Sequence, residues 1–152
     1  MIYQDTITLF NRYHSRLGDI WCPHVLHGVN LITDKASMLE KYGADSQDKA
    51  SLHIKYEGSA YAPLIDGKPY LRPKEWASQV NEQLFDTITF NSDSNYYDFF
   101  VRGELSFPDI VTDDDYPNGF YEHIKNRYDD CYVITSVSNP YRVIKHMEIL
   151  AK

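Results

Sequence analysis

The chain has 152 residues, 43% of them apolar and 24% charged, which fits one folded domain over 1–152 and excludes a disordered chain. Its formal net charge of −7 opposes a protein that grips nucleic acid by neutralising phosphates. Cys22 and Cys131 are too few for a disulfide scaffold, and no stretch nears the ~20 apolar residues that span a bilayer.

The opening "MIYQDTITLFNRY" lacks the basic start and unbroken apolar run of a signal peptide, so a soluble protein of a reducing cytoplasm is expected. Within it, "TITLFNRY" at 6–13 alternates. Ile7, Leu9, Asn11 and Tyr13 share one face and Thr6, Thr8 and Phe10 the other, which predicts a strand. "SRLGD" reads as a turn or hairpin tip. "WCPHVLHGVNLIT" resumes the strand; Pro23 keeps its start off the middle of a sheet, and Gly28 marks a bulge. In "DKASMLEKYGADS", Asp34 is placed to cap a short helix over 36–42 that Gly43 stops. "ASLHIKYE" alternates again, with Leu52, Ile54 and Tyr56 inward.

A proline-rich insertion near 57–83 follows, in which "RPKEWASQV" is a short helix with Pro73 at its first position. "FDTITF" and "YYDFFVRGEL" are two further predicted strands joined by the polar "NSDSN". "TDDDYPNGFYEHIKNRY" predicts a helix near 115–128. Aspartates precede it, Lys125 and Arg127 lie near its end, and Phe120, Ile124 and Tyr128 form its buried stripe. Two strands close the chain, split by "SNPY". In the first, Tyr132, Ile134 and Ser136 face one way and Val133, Thr135 and Val137 the other. In the second, Tyr141, Val143, Met147 and Ile149 point inward, while Arg142, Ile144, His146 and Glu148 are offered to a neighbour. Strands do not alternate with helices. The expected fold is mainly β (α+β), a small antiparallel β-barrel or sandwich with one packed helix and short helical turns.

The chemistry-bearing residues form no catalytic set. Cys22, His24 and His27 use the vocabulary of zinc, but in a strand Cys22 and His24 share a face that His27 does not. Scattered strand histidines and a small core cysteine are expected, with no metal and no cofactor. Cys131 with His123 or His146 has no motif around it to assign a nucleophile and base. Asp113, Asp114 and Asp115 lack the spacing and glycine turn of a calcium loop and read as helix-capping charge on a solvated loop. Trp76, beside charged residues in "RPKEW", is either an anchor for a partner's pocket or a tryptophan folded onto its own core. The 13 Tyr suit half-wet strands and contact surfaces. An interaction protein is expected, not an enzyme.

Several pieces carry a family resemblance. "WCPHVLHGV" resembles the W-x-x-x-V-L-x-G-V run of short tailed-phage proteins. "FDTITFNSDSNYYDFFVRGEL" resembles their strand leading into a V-x-G-E/D turn, and "YVITSV" their closing I-T-S-V before a last strand ending H-x-x-x-x-G-K. Ala151 stands where that glycine is usual, and the helix near 115–128 makes the chain longer than a minimal member. The family is the head-closure (stopper, head–tail joining or neck) proteins of phages and prophages of Gram-positive hosts.

The resemblance implies a virion structural protein at the head–tail junction, assembled in the host cytoplasm without contact with a membrane. As a homo-oligomeric ring of about 6 or 12 copies, it would retain packaged DNA between portal or adaptor and the tail-terminator or tail proteins. DNA would touch it only in passing, and its acidic surface suits a channel that does not hold DNA. The candidate interface residues are Trp76, Asp113, Asp114, Asp115, Arg142 and His146. The competing expectation is an acidic phage-encoded inhibitor that mimics DNA against a host defence nuclease.

Overall fold

The computed structural model describes residues 2–43 and 48–152. β1 (Asp5–Ser15) and β2 (Gly18–Ile32) form a long hairpin. Arg16 and Leu17 make its turn, which ends on Gly18 at φ 114°, a conformation that favours glycine. The ladder skips Gly28, since His27 faces Thr6 while Val29 faces Asp5, so the expected bulge is present. Pro23 sits inside β2 opposite Phe10. The second edge of β2 is taken by other strands only at Ile20 and Trp21 and from Val29 onward. Proline's missing N–H therefore leaves no ladder bond unmade, and the strand runs through it.

Helix α1 (Lys35–Tyr42) is capped as expected, with the Asp34 side chain accepting from Ala36 N at 3.2 Å and Gly43 N donating to Leu39 O at 2.9 Å. Residues 44–46 of that predicted turn region lie outside the described residues. Strand β3 (Ala50–Lys55) leads into β4 (Glu57–Ser59), β5 (Ala62–Ile65) and β6 (Lys68–Pro69), a separate three-stranded sheet. Helices α2 (Pro73–Ala77, Pro73 in its first turn) and α3 (Asn81–Leu84) follow. Then come β7 (Phe99–Arg102), β8 (Val111–Thr112), a 3-10 turn (Asp113–Asp115), α4 (Phe120–Arg127), β9 (Cys131–Val137) and β10 (His146–Ala151).

The protein is mainly β. Strands in the order β1-β7-β9-β10-β3-β2 pair antiparallel throughout, and the β1–β2 pairing closes them into a six-stranded barrel with β8 added outside on β2. Every barrel strand contributes to the interior, including Leu9, Leu26, Ile54, Phe100, Ile134 and Ile149, and each such fully buried side chain contributes roughly 1.5–3 kcal/mol. Ile65, Ile88 and Phe90, from the long β3–β7 connection, complete that core. A second core lies on the opposite face of β1 and β7. There Phe10 packs against Phe99, Phe107 and Phe120 at centroid distances of 4.8, 5.7 and 5.2 Å, and Ile124 joins from α4. β1 is therefore apolar on both faces because each faces a core.

A buried polar node fastens the connection to β1. The Asp98 carboxylate accepts from Arg12 N (2.8 Å), Asn11 Nδ2 (2.9 Å) and Asn91 N (2.8 Å). Burial pushes this carboxyl up to about 8, against the pull of those donors.

Four sequence expectations need correction. "FDTITF" is not a strand: Ile88 and Phe90 are buried, but the segment makes only an isolated bridge, Ile88 with Tyr70. The strand expected over "YYDFFVRGEL" shrinks to β7. The final strand begins at His146, so Tyr141 and Val143 lie in an exposed loop instead of pointing inward, while Met147 and Ile149 are fully buried as expected. The helix expected near 115 starts at Phe120, after a separate 3-10 turn.

Because neighbouring strands alternate in direction, the β1–β2 turn, the β3–β7 connection and the β9–β10 loop all leave one end of the barrel. The β2–β3 and β7–β9 connections leave the other.

Candidate functional site: the loop-bearing end of the barrel

The β9–β10 loop is tied down at its base and exposed at its tip. Ser138 N donates to Glu148 O and Glu148 N to Ser138 Oγ, both at 2.9 Å. Tyr141 N donates to His146 O at 3.0 Å, and the Tyr56 hydroxyl donates to the Tyr141 carbonyl. His146 stacks on Tyr141 with ring centroids 4.5 Å apart, and its Nδ1 lies 2.7 Å from Ile144 O, which fixes a proton on that nitrogen. What protrudes is Arg142-Val143-Ile144. Val143 is 97% exposed and Ile144 70%.

This tip is joined to the β4–β5 hairpin. Arg142 Nη2 donates to the Tyr61 hydroxyl at 2.8 Å, and its guanidinium lies over the Tyr61 ring at 5.0 Å, a cation–π arrangement. Beneath them a cleft of about 530 Å³ is lined by Tyr61, Pro63, Leu64, Pro69 and Pro140 together with the charged Arg72 and Glu75. Across the barrel end, Leu17 at the hairpin turn is 94% exposed. Eleven large hydrophobic side chains are exposed among the described residues. Eight of them (Leu17, Tyr61, Leu64, Val80, Tyr96, Tyr141, Val143 and Ile144) sit on the three connections of this end. Exposed apolar groups on connecting segments are where a contact surface is sought first.

The predicted interface residues do not assemble as one set. Arg142 and His146 share the β9–β10 loop. Trp76 is 1% exposed; it packs with Tyr13, Cys22 and Leu84 and donates Nε1 to Thr87 O at 3.3 Å, so it belongs to the core and is not offered to a partner. Asp113 is also structural, because its Oδ1 accepts from Trp21 Nε1 and Phe120 N, each at 2.9 Å. Asp114 and Asp115 are exposed beside it.

The other reactive residues are equally dispersed. His24 is buried and receives a hydrogen bond from Lys68 Nζ at 3.0 Å; burial and that lysine push its imidazole down to about 3. Burial pushes the Cys22 thiol up to about 12, while His27 is exposed, 3.9 Å from Glu104. Among the described residues no three His, Cys, Asp or Glu groups are arranged to hold a metal ion. Cys131 opens β9 and His146 opens its antiparallel neighbour β10, which puts them at opposite ends of the barrel. Burial pushes the Cys131 thiol up to about 12 as well, away from nucleophile chemistry.

Leu17 and Tyr61 were not singled out in the sequence and Val143 was expected inward, whereas Ile144 is exposed as expected. The one signal at these positions is large apolar residues beside Arg, Gly or Pro in "SRLGD", "SAYAP" and "NPYRVIK".

No curated protein and no solved structure matches the chain. The model of a family of unknown function, DUF6751, matches residues 2–152, and the chain belongs to that family.

Proposed function

We infer that the protein is a non-enzymatic structural subunit of a phage virion, forming the head-closure (stopper) ring at the head–tail junction. There it retains packaged DNA and presents a docking surface to the tail. The observation that carries the reading is the gathering of exposed apolar side chains on the connections of one barrel end. A closed barrel in which every strand pairs with two neighbours has little capacity to add a partner strand. Its contacts therefore run through loops, as a ring subunit between two other rings requires. The short sequence runs that resemble the head-closure family add to this support. The alternative, an acidic inhibitor mimicking DNA, needs carboxylates in rows on an outer face. It loses support from Asp113 and Asp98, whose carboxylates are committed to internal N–H groups.

The test is disruption of the gene in the phage or prophage that carries it. The expected result is heads that have lost their DNA beside complete but unattached tails in electron micrographs. Normal infectious particles from the disrupted genome, or a gene lying outside any virion-assembly region, would overturn the reading.

A further inference from the structure

Asn118 is the one asparagine of the chain that precedes a glycine. It stands in "YPNGF", on the approach to α4, and is exposed. Its side chain makes no hydrogen bond among the described residues, so its Cγ is free to turn toward the backbone nitrogen of Gly119. Gly119 has no side chain to hinder that approach, and its φ of 88° favours glycine. Other candidates are held. Asn11 is buried, with Nδ2 bonded to Thr89 O and to the Asp98 carboxylate. Asn91 Oδ1 accepts from Asp93 N at 3.0 Å, and Asn139 precedes Pro140, which has no backbone N–H. The one Asp–Gly pair, Asp66–Gly67, is tied by Asp66 Oδ2 accepting from His27 N at 3.1 Å.

The stretch around Asn118 is closed upon Asp113. Tyr116 N donates to the Asp113 carbonyl at 3.1 Å and Gly119 N to Tyr116 O at 3.0 Å. Phe120 N then returns to Asp113 Oδ1 at 2.9 Å. While these bonds hold, the Gly119 nitrogen is committed as a donor. Once the turn opens locally, that nitrogen is available for reaction.

We propose that Asn118 is a site of spontaneous covalent modification, in which the Gly119 nitrogen closes on the Asn118 side chain at a rate set by Asp113 holding the turn shut. The Gly119 N–H gives its proton to solvent hydroxide, and the nitrogen forms a bond to Asn118 Cγ. The Cγ–Nδ2 bond breaks, and the amide nitrogen takes a proton from water and leaves as ammonia, which regenerates the hydroxide. Water then opens the resulting succinimide. Opening at Cγ gives aspartate; opening at the backbone carbonyl gives isoaspartate, whose main chain runs through Cβ and Cγ and is longer by one carbon. Nothing is oxidised or reduced, and water is the only co-reactant. Either product adds a negative charge close to Asp113, Asp114 and Asp115. Isoaspartate also lengthens the chain just before Phe120, which is fully buried against Phe10 and Phe107. It therefore works against the Asp113–Phe120 bond and loosens the start of α4.

The experiment ages purified full-length protein at mildly alkaline pH and follows each asparagine by peptide mass spectrometry, with enzymatic methylation to detect isoaspartate. Position 118 is expected to change first, and faster as hydroxide rises, while Asn118→Gln silences the site. Asp113→Ala should speed the change about tenfold, the rise in open turn that a modest loss of local stability produces. Asp114→Ala should age like the parent. Protein unfolded in urea gives the ceiling rate. If Asp113→Ala fails to fold, Asp113→Asn, which keeps an acceptor oxygen, carries the test and should age at a rate between the parent and that ceiling. Change that comes first at another asparagine, or at 118 only in the urea-unfolded chain, would overturn the proposal. So would folded Asp113 variants that age no faster than the parent. No outcome involves a second copy or a virion, so this site and the head-closure role fail separately.

Discussion

Three successive aspartates, Asp113, Asp114 and Asp115, carry the same charge in the same turn, yet the structure gives them unequal weight. A substitution series separates them. Both bonds from Asp113 end on one oxygen, Oδ1, which takes the indole N–H of Trp21 and the first backbone N–H of α4 at Phe120. Gly119, which precedes that helix, has no side chain to cap it, so Asp113 does from a distance what an N-cap residue does locally. It also joins β2 to α4 across the aromatic cluster of Phe10, Phe99 and Phe120.

Asp113→Ala leaves a buried indole donor and a helix N–H without an acceptor. An unsatisfied buried donor costs about 1–3 kcal/mol and a lost cap about 0.5–2 kcal/mol, so a total of about 2–4 kcal/mol is expected. That is a large share of a typical domain's stability. Asp113→Asn keeps an oxygen where Oδ1 stands and loses only the charge that strengthens both bonds and favours the helix N-terminus, about 1 kcal/mol. Asp114→Ala and Asp115→Ala, at exposed side chains, should stay within about 0.5 kcal/mol of the parent. Urea unfolding followed by tryptophan fluorescence reads all four, with the midpoint expected to shift while the slope is unchanged. If Asp113→Ala unfolds at the same urea concentration as Asp114→Ala, the remote cap does not exist and α4 is held by packing alone.

The other predictions use the same assay or a thermal melt. Burial pushes His24 and His53 down, to about 3 and about 4, so both are neutral in the fold, whereas the unfolded chain takes up their protons near 6.5. Their contribution is complete above that pH and is lost as pH falls toward 4 and 3; His24→Phe should flatten the acid limb, and an unchanged limb would count against it. Trp76→Ala should cost about 3–5 kcal/mol as a core deletion, whereas Arg142→Ala with Ile144→Ser should leave the melt nearly unmoved; a neutral Trp76→Ala would return that residue to the surface. Treatment with a chelator should leave Tm unchanged, and a drop of several degrees would mean that Cys22 and His24 serve a metal.

How far the sequence could be read depended on where each signal comes from. The β1–β2 hairpin, its Gly28 bulge and the capped α1 were legible because turn residues, glycine and an N-cap aspartate act within a few residues of where they stand. The failures came from signals that report burial without saying which partner supplies the hydrogen bonds. "FDTITF" alternates because Ile88 and Phe90 enter the barrel core, but Thr89 N is satisfied by the Asn11 side chain at 3.3 Å and not by a strand ladder. In "YRVIK" the same periodicity marks a loop whose apolar residues face outward. Trp76 was ambiguous because its burial depends on Tyr13, a residue more than sixty positions away that no local pattern connects to it. The Asp98 node was hidden for a similar reason: an aspartate within "YYDFF" looks like a surface residue until Arg12, Asn11 and Asn91 are brought to it.

The last strand shows how closure divides the molecule's tasks. β10 pairs with β9 on one edge and β3 on the other, and Lys152 N and O exchange hydrogen bonds of 2.9 and 2.8 Å with Val133. Met147, Ile149 and Ala151 are fully buried inward. No backbone edge of this strand remains for a neighbouring copy, so its work is to complete the barrel. The loop that precedes it carries the opposite chemistry: bonds at the base through Ser138, Tyr141 and Tyr56, and unsatisfied apolar surface at Val143 and Ile144. Fold stability and contact chemistry therefore sit on adjacent residues of one short segment with almost no overlap. Substitutions at 142–144 change exposed surface without loosening the barrel. Substitutions at 147 or 149 remove buried side chains and cost about 2–5 kcal/mol each, whatever the loop meets.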